Sequence, residues 1–351
     1  MFKTRLAQAM EGNSLSASEM EEAMEALLEE PVPPLQVAAF LAALRARGET
    51  AEEITGAVRL LLRKAHAVPS NLPLLMDNCG TGGDCTGSFN ISTAAAFVAA
   101  GGGIPMAKHG NRSVSSECGS ADVAEALGAP LPSSPAEAAR CLGETGLVLL
   151  FAPHFHPILR NVAEVRKALG VRTLFNILGP LLNPAPLTHQ VMGVFDPSLP
   201  ALLAEVLRTL GRKQGMVIAG HGGFDELSLG GSNRVAFFSE RGVREEFVSP
   251  EDAGLSSREE SMKGKRREER SPDRGRSCGE RGSPGCGGLQ RCGGLSHLRS
   301  GKGVEGRGRS GGGEHRLGQG GGNSGEAPGL FPPPGGNSSI GVTKETREGR
   351  S

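Results

Sequence analysis

From residue 14 onward the apolar positions recur every three to four residues. In SASEMEEAMEALLEE, Met20, Ala23, Leu27 and Leu28 fall on one helical face, and a Ser with a Glu three positions on opens the run as a capping box. PPLQVAAFLAALRARG begins on proline and stops at Gly48, and TAEEITGAVRLLLRKA repeats the pattern. Residues 1–66 therefore predict a small helical unit whose apolar stripes pack on one another. After it the period changes. LPLLMDNCG, GLVLLFAP, HQVMGVFDP and GMVIAGHGG are short apolar runs bounded by glycine, with helical patterns such as PALLAEVLRTLG between them. Alternating strands and helices predict an α/β fold with a largely parallel sheet, in which ligands bind at the carboxyl ends of the strands.

Composition alters this picture at one place. The 351 residues carry no net charge, but residues 261–351 hold 17 Lys and Arg against 9 Asp and Glu, leaving 21 against 29 before them. The same segment holds 26 of the 53 glycines, few apolar residues and no periodicity, so it predicts a disordered tail that cannot offset its ordering entropy. Seven cysteines at irregular spacing predict neither a disulfide scaffold nor a zinc site. No run approaches the roughly 18 apolar residues of a membrane span, and a reduced cytoplasmic setting is the expectation.

Three clusters carry chemistry. In DNCGTGGDCTGSFNIST, between an apolar run and a helical one, Gly80, Gly82 and Gly83 admit close backbone approach, and Ser88, Ser92 and Thr93 add hydroxyls. A strand-to-helix junction of that kind wraps a phosphate or diphosphate; a glycine-rich turn with a Ser/Thr cap is the plain alternative. In AKHGNRSVSSECGSAD, Lys108, His109 and Arg112 offer positive charge, Asn111 an amide, and Ser113, Ser115, Ser116 and Ser120 hydroxyls. As a basic loop it suits a leaving pyrophosphate, or is merely solvated. In GHGGFDELSLGG, Asp225 and Glu226 are adjacent hard oxygen donors suited to Mg²⁺, or again an ordinary solvated pair.

Taken with GSAD (119–122), NVAEVRKALGVRTLFNILGPLLNPA (161–185) and GVFDP (193–197), these motifs resemble the anthranilate phosphoribosyltransferase family as far as about Leu255. The resemblance implies a homodimer in which a helical domain, residues 1–68 with a contribution from 156–185, adjoins an α/β domain, residues 69–256. Residues 257–351 form the departing tail. It implies transfer of the phosphoribosyl group of 5-phosphoribosyl 1-diphosphate (PRPP) to the amine of anthranilate, with release of pyrophosphate. PRPP would be held by Gly80, Gly83, Asp84, Ser88, Asn90, Ile91, Ser92 and Thr93. Lys108, His109, Gly110, Asn111, Arg112, Ser113, Val114, Ser115, Ser116 and Ser120 would join them. Gly80, Asn111 and Arg166 would receive anthranilate, and Ser92, Asp225 and Glu226 would bind Mg²⁺. Cys85 stands where the family has glycine.

Two other readings compete. A pyrimidine nucleoside phosphorylase shares the architecture, although KHGNRSVSS and VRKALGVRT favour the transferase. A nucleic-acid-binding relative without transferase activity is disfavoured by the intact diphosphate and metal motifs, and the Arg-Gly-rich GRGRSGGG of the tail, which resembles an RNA-binding segment, by Phe331 being the tail's single aromatic residue. The tail also suggests an origin. With GC-rich codons, GLQRCGGLSHLR (288–299) read one base later becomes Ala-Phe-Asn-Ala-Ala-Ala-Ala-Phe-Leu-Ile-Ser-Gly. Translation out of frame from near residues 256–265 is the expectation.

Overall fold

The computed structural model describes residues 1–82, 89–112 and 119–258, all within one compact unit. The sequence expectations for Gly83, Asp84, Cys85, Ser88, Ser113, Val114, Ser115, Ser116 and residues 259–351 lie outside the described residues.

Four helices come first: α1 Phe2–Met10, α2 Ala17–Glu29, α3 Pro34–Arg47 and α4 Ala51–Arg63. Both capping boxes form, Ser16 with Glu19 and Thr50 with Glu53, and α3 ends at Gly48 with φ +91°. Phe40, Leu41, Leu44, Ile54, Leu60 and Leu61 are fully buried between these helices. A Cβ on Gly56 would lie 2.2 Å from the Ala17 carbonyl oxygen, so glycine is what lets α4 approach α2. Glu53, also fully buried, accepts from Leu15 N–H at 2.9 Å and pairs with Arg47 at 2.5 Å.

The rest alternates as expected. In chain order it runs β1 Met76–Asp77, α5 Ile91–Gly101, β2 Met106–Gly110, α6 Ser120–Ala126, α7 Pro135–Thr145, β3 Leu147–Phe151, α8 Ala152–Phe155, α9 Ala163–Leu169 and α10 Phe175–Leu178. β4 His189–Gly193, α11 Pro200–Thr209, β5 Gln214–Ala219, β6 Asn233–Ser239 and β7 Gly242–Val248 follow. The strands form one sheet ordered β3-β2-β1-β4-β5-β6-β7. The first five are parallel, and β6 and β7 close it antiparallel. Two expectations are corrected. LPLLMDNCG yields only a two-residue strand, because Pro73 has no N–H to pair and Leu75 N–H goes to the Thr188 hydroxyl rather than to a neighbouring strand. Lys108 and His109 sit in strand β2, not in a loop; MAKHG pairs with all five residues of β3.

One core joins the helices to the sheet. Met192, Val217, Ala236 and Phe238, on β4, β5 and β6, are buried together with Leu203, Ala204 and Leu207 of α11 and Leu60 and Leu61 of α4. The segment between β3 and β4 enters the same cluster through Val162, Leu174, Phe175 and Leu181, and Asn161 Nδ2 donates to Leu28 O at 2.8 Å. A second cluster lies beneath α7, built from Leu142, Val148, Leu150, Phe155 and Leu187.

Candidate active site

The chain runs β1, β2, β3 outward in one direction and then returns to place β4 on the other side of β1. Between β1 and β4 the connections diverge, and such a switch point opens a crevice at the carboxyl ends of the strands. The loop after β1 crosses that crevice, where Thr81 N–H donates to Gly193 O, at the end of β4, at 2.9 Å. The loop after β5 reaches it from the other side. Gly82 N–H donates to Asp225 Oδ2 at 2.7 Å, and Ser92 N–H, in the first turn of α5, donates to Glu226 Oε1 at 3.1 Å. Two clusters separated by more than 130 residues in sequence therefore share one place.

Glycine makes that approach possible. A Cβ on Gly193 would lie 1.6 Å from Asp225 O, and one on Gly80 would lie 2.7 Å from Asp225 Oδ2. The acidic loop is itself clamped by Asn233 at the start of β6. Its Oδ1 accepts from Ser228 N–H at 2.8 Å and its Nδ2 donates to Ser228 O and Val248 O, each at 3.0 Å.

Lys108 arrives from β2, almost wholly buried, and donates to Asn78 O at 3.3 Å and Asn78 Oδ1 at 3.2 Å. Asn78 Nδ2 in turn donates to Ser92 O at 2.7 Å. Behind them Asp77 is fully buried, accepting from Asn183 Nδ2 at 2.8 Å and His109 N–H at 3.3 Å. Burial pushes its carboxyl up to about 6, against the pull of Lys108. Burial, then the neighbouring Asp225 charge, pushes Glu226 up to about 7. Two adjacent carboxylates, one of them largely out of water, form an oxygen donor set that a divalent cation would relieve, and the chemistry of these donors fits Mg²⁺.

The remaining predicted residues divide. Asn90 is the N-cap of α5, Ile91 its first residue, and Ser92 faces the acidic loop. Thr93 is buried, its hydroxyl turned into the protein. His109 does not supply the positive charge expected of it. Its Nδ1 lies 3.0 Å from Gly179 O, and burial pushes it down to about 3, leaving the ring neutral. Arg112 is paired with Asp122 at 2.7 Å and Glu125 at 2.6 Å on α6 and its immediate surroundings, and it lies over the Phe151 ring. Gly110 ends β2 where a Cβ would lie 2.0 Å from Ser120 Oγ, and Ser120 donates to Asn111 O at 3.2 Å. Arg166 stands on α9, its guanidinium 5.1 Å from the Phe175 ring centroid, and burial lowers its pKa. Asp77, Asn78, Asn183 and Asn233 were not singled out from sequence. The signal for Asp77, Asn78 and Asn183 was their place at the ends of the apolar runs LPLLM and GPLL, Asn183 directly before Pro184, and Asn233 carried none.

The helical part, residues 3–65, matches the glycosyl transferase family helical bundle domain, and residues 72–271 match the glycosyl transferase family a/b domain. Anthranilate phosphoribosyltransferase of Petrotoga mobilis is 49% identical over 255 residues, covering 73% of this chain and 74% of the relative. That of Roseiflexus sp. is 51% identical over 234 residues, 67% of this chain and 68% of the relative. The crystal structure of the Thermus thermophilus anthranilate phosphoribosyltransferase superposes with a TM-score of 0.68 at 44% identity, over 73% of this chain and 76% of that one. The Saccharomyces cerevisiae enzyme in complex with PRPP and Mg gives 0.66 at 28% identity, over 74% and 75%. With both halves of the fold matched and the sheet's crevice furnished as described, the chain belongs to the anthranilate phosphoribosyltransferase family of glycosyl transferases.

Proposed function

We propose that this chain joins the amine of anthranilate to C1 of the ribose of PRPP, releasing pyrophosphate. The observation that carries the reading is the meeting of the glycine loop after β1 with Asp225 and Glu226 at the sheet's switch point, through Gly82 N–H and Ser92 N–H. The S. cerevisiae relative has been solved with PRPP and Mg and, separately, with 4-fluoroanthranilate, which supports both substrates and the metal.

In this reading the diphosphate lies against Gly80, Gly83, Asp84, Ser88 and Asn90 to Thr93, opposite Lys108 to Ser116 and Ser120. Ser92, Asp225 and Glu226 would hold Mg²⁺, which when bound screens the charge that gathers on the departing diphosphate. Lys108 adds a positive charge from β2, on the side where pyrophosphate leaves. Gly80, Asn111 and Arg166 would receive anthranilate, the Arg166 guanidinium facing its carboxylate. No acidic partner ties up that guanidinium among its described contacts. The attacking nitrogen is an aniline, unprotonated at neutral pH, so positioning rather than a strong base carries the step. We place the protein in the cytoplasm as a homodimer, for which sedimentation equilibrium is the direct check.

The test is formation of the phosphoribosylated anthranilate, followed by loss of anthranilate fluorescence. Turnover is expected with Mg²⁺ and PRPP and not after chelation by EDTA. Phosphorolysis of thymidine without anthranilate turnover would replace this reading with the nucleoside phosphorylase one. The domain limits carried over from sequence, 1–68 and 69–256, and an out-of-frame origin for the following residues, belong to the same proposal.

A further inference from the structure

The contacts of Asn78 fall between two charged groups of the candidate site, Lys108 and Glu226, yet none of its atoms is assigned a part in the reaction proposed above. Its side-chain oxygen accepts from Lys108 Nζ at 3.2 Å, its main-chain oxygen accepts from the same ammonium at 3.3 Å, and its side-chain nitrogen donates to Ser92 O at 2.7 Å. Ser92 N–H, one peptide away, donates to Glu226 Oε1. The link therefore runs from the cation on β2, through one amide, to the first turn of α5, and on to the acidic loop after β5.

An ammonium has three N–H donors and no acceptor. Two of those on Lys108 are directed at Asn78, which leaves one and fixes its direction. A carboxamide both accepts from Lys108 and donates to a carbonyl in the same plane. A carboxylate of the same shape accepts but does not donate, so it would confront Ser92 O with a second oxygen. An alkyl group would do neither and would leave the buried ammonium short of an acceptor, at the cost of an unsatisfied group.

We infer that Asn78 is a positioning residue for the diphosphate, holding the Lys108 ammonium at a set distance from the α5 N-terminal turn and from Glu226. The inference rests on the proposed reaction and makes a distinction within it. Asn78 governs the phosphate end of the site and leaves the anthranilate end, at Arg166, untouched.

The experiment uses the full chain, with inorganic pyrophosphate and MgCl₂ as the probe in isothermal titration calorimetry, and steady-state kinetics with both substrates. Asn78→Ala is expected to weaken pyrophosphate binding and raise KM for PRPP about tenfold, which corresponds to about 1.4 kcal/mol. Asn78→Asp, which keeps the shape but adds negative charge beside Lys108, is expected to weaken both about tenfold further. KM for anthranilate should stay within about twofold in each variant. Unchanged pyrophosphate binding in both variants, or an equal rise of both KM values, overturns the inference while the parent's activity leaves the reaction standing. A parent chain that binds no pyrophosphate at all overturns the two together.

Discussion

Gly80 shows how far a single hydrogen atom can decide a site. The position a methyl would take is 2.7 Å from Asp225 Oδ2, so Gly80→Ala must push that carboxylate away from Gly82 N–H. The expected result is a rise of at least tenfold in the Mg²⁺ concentration giving half-maximal turnover, with a smaller loss of thermal stability, since the half-buried loop meets a side chain that can swing away. Kinetics against Mg²⁺ and a melting curve check it. Arg166→Ala should act on the acceptor rather than the metal, raising KM for anthranilate tenfold or more while KM for PRPP changes little. At this scale much was legible beforehand. Gly80, Ser92, Asp225 and Glu226 do meet, with Lys108 joined through Asn78, because each cluster stands at or beside the end of an apolar run and the sheet's switch point gathers those ends. His109 was misjudged because its charge depends on burial under Gly179, seventy residues away in sequence. Asp77 and Asn183 were invisible for the same reason, their bond joining residues 106 apart.

Among the elements, the helices were the easiest to read. Local signals, caps and a 3.6-residue period, fix α2, α3 and α4 without reference to the rest of the chain. The run holding β1 is legible but its two-residue length is not, and the β6–β7 hairpin is not legible at all, since NRVAFFS breaks alternation by having both faces partly covered. One buried pair binds three of the helical elements. The Glu53 carboxylate accepts from Thr50 N–H at the start of α4 and from Leu15 N–H ahead of α2, and pairs with Arg47 at the end of α3. Removing only one partner strands a buried charge, so Glu53→Ala is expected to cost about 3 kcal/mol or more in denaturant unfolding. Arg47→Ala should cost a comparable amount, and the double variant less than the two together.

For the molecule as a whole, two opposed groups of buried sites set the response to acid. Burial pushes His109 down to about 3 and His156 to about 4, so an unfolded chain takes up protons below about 6.5 that the folded one refuses. That costs stability as pH falls. Asp77, pushed up to about 6, and Glu226, pushed up to about 7, take up protons in the folded state first, and so add stability over the same range. The two should largely cancel, with unfolding free energy changing by less than about 1.4 kcal/mol between pH 7 and 5.5. Asp77→Asn should unmask the histidines and make acidification destabilising, as measured by urea titration at both pH values.

The same scale bears on the tail. Helix α5 has no charged residue, yet only Thr93 and Ala96 are buried; Ala94 and Ala95 are exposed, and Val98 is 76% exposed. If the codons after about 256 read an alanine-rich continuation one base on, that exposed face offers such a helix a seat, which a substitution at Val98 tests. Sequencing the gene across codons 250–300 decides the frame. In a reframed chain Val98→Asp should lower the melting temperature by several degrees, whereas in the present chain it should do nothing. A shifted frame that stops early or yields no apolar helix ends the idea.

For a cell making this chain, the alanine-and-valine flank that is exposed among the described residues has a practical meaning. Left uncovered, such a surface is the kind that holdase chaperones grip and quality-control proteases degrade, so lower abundance is the expected cost of leaving it so.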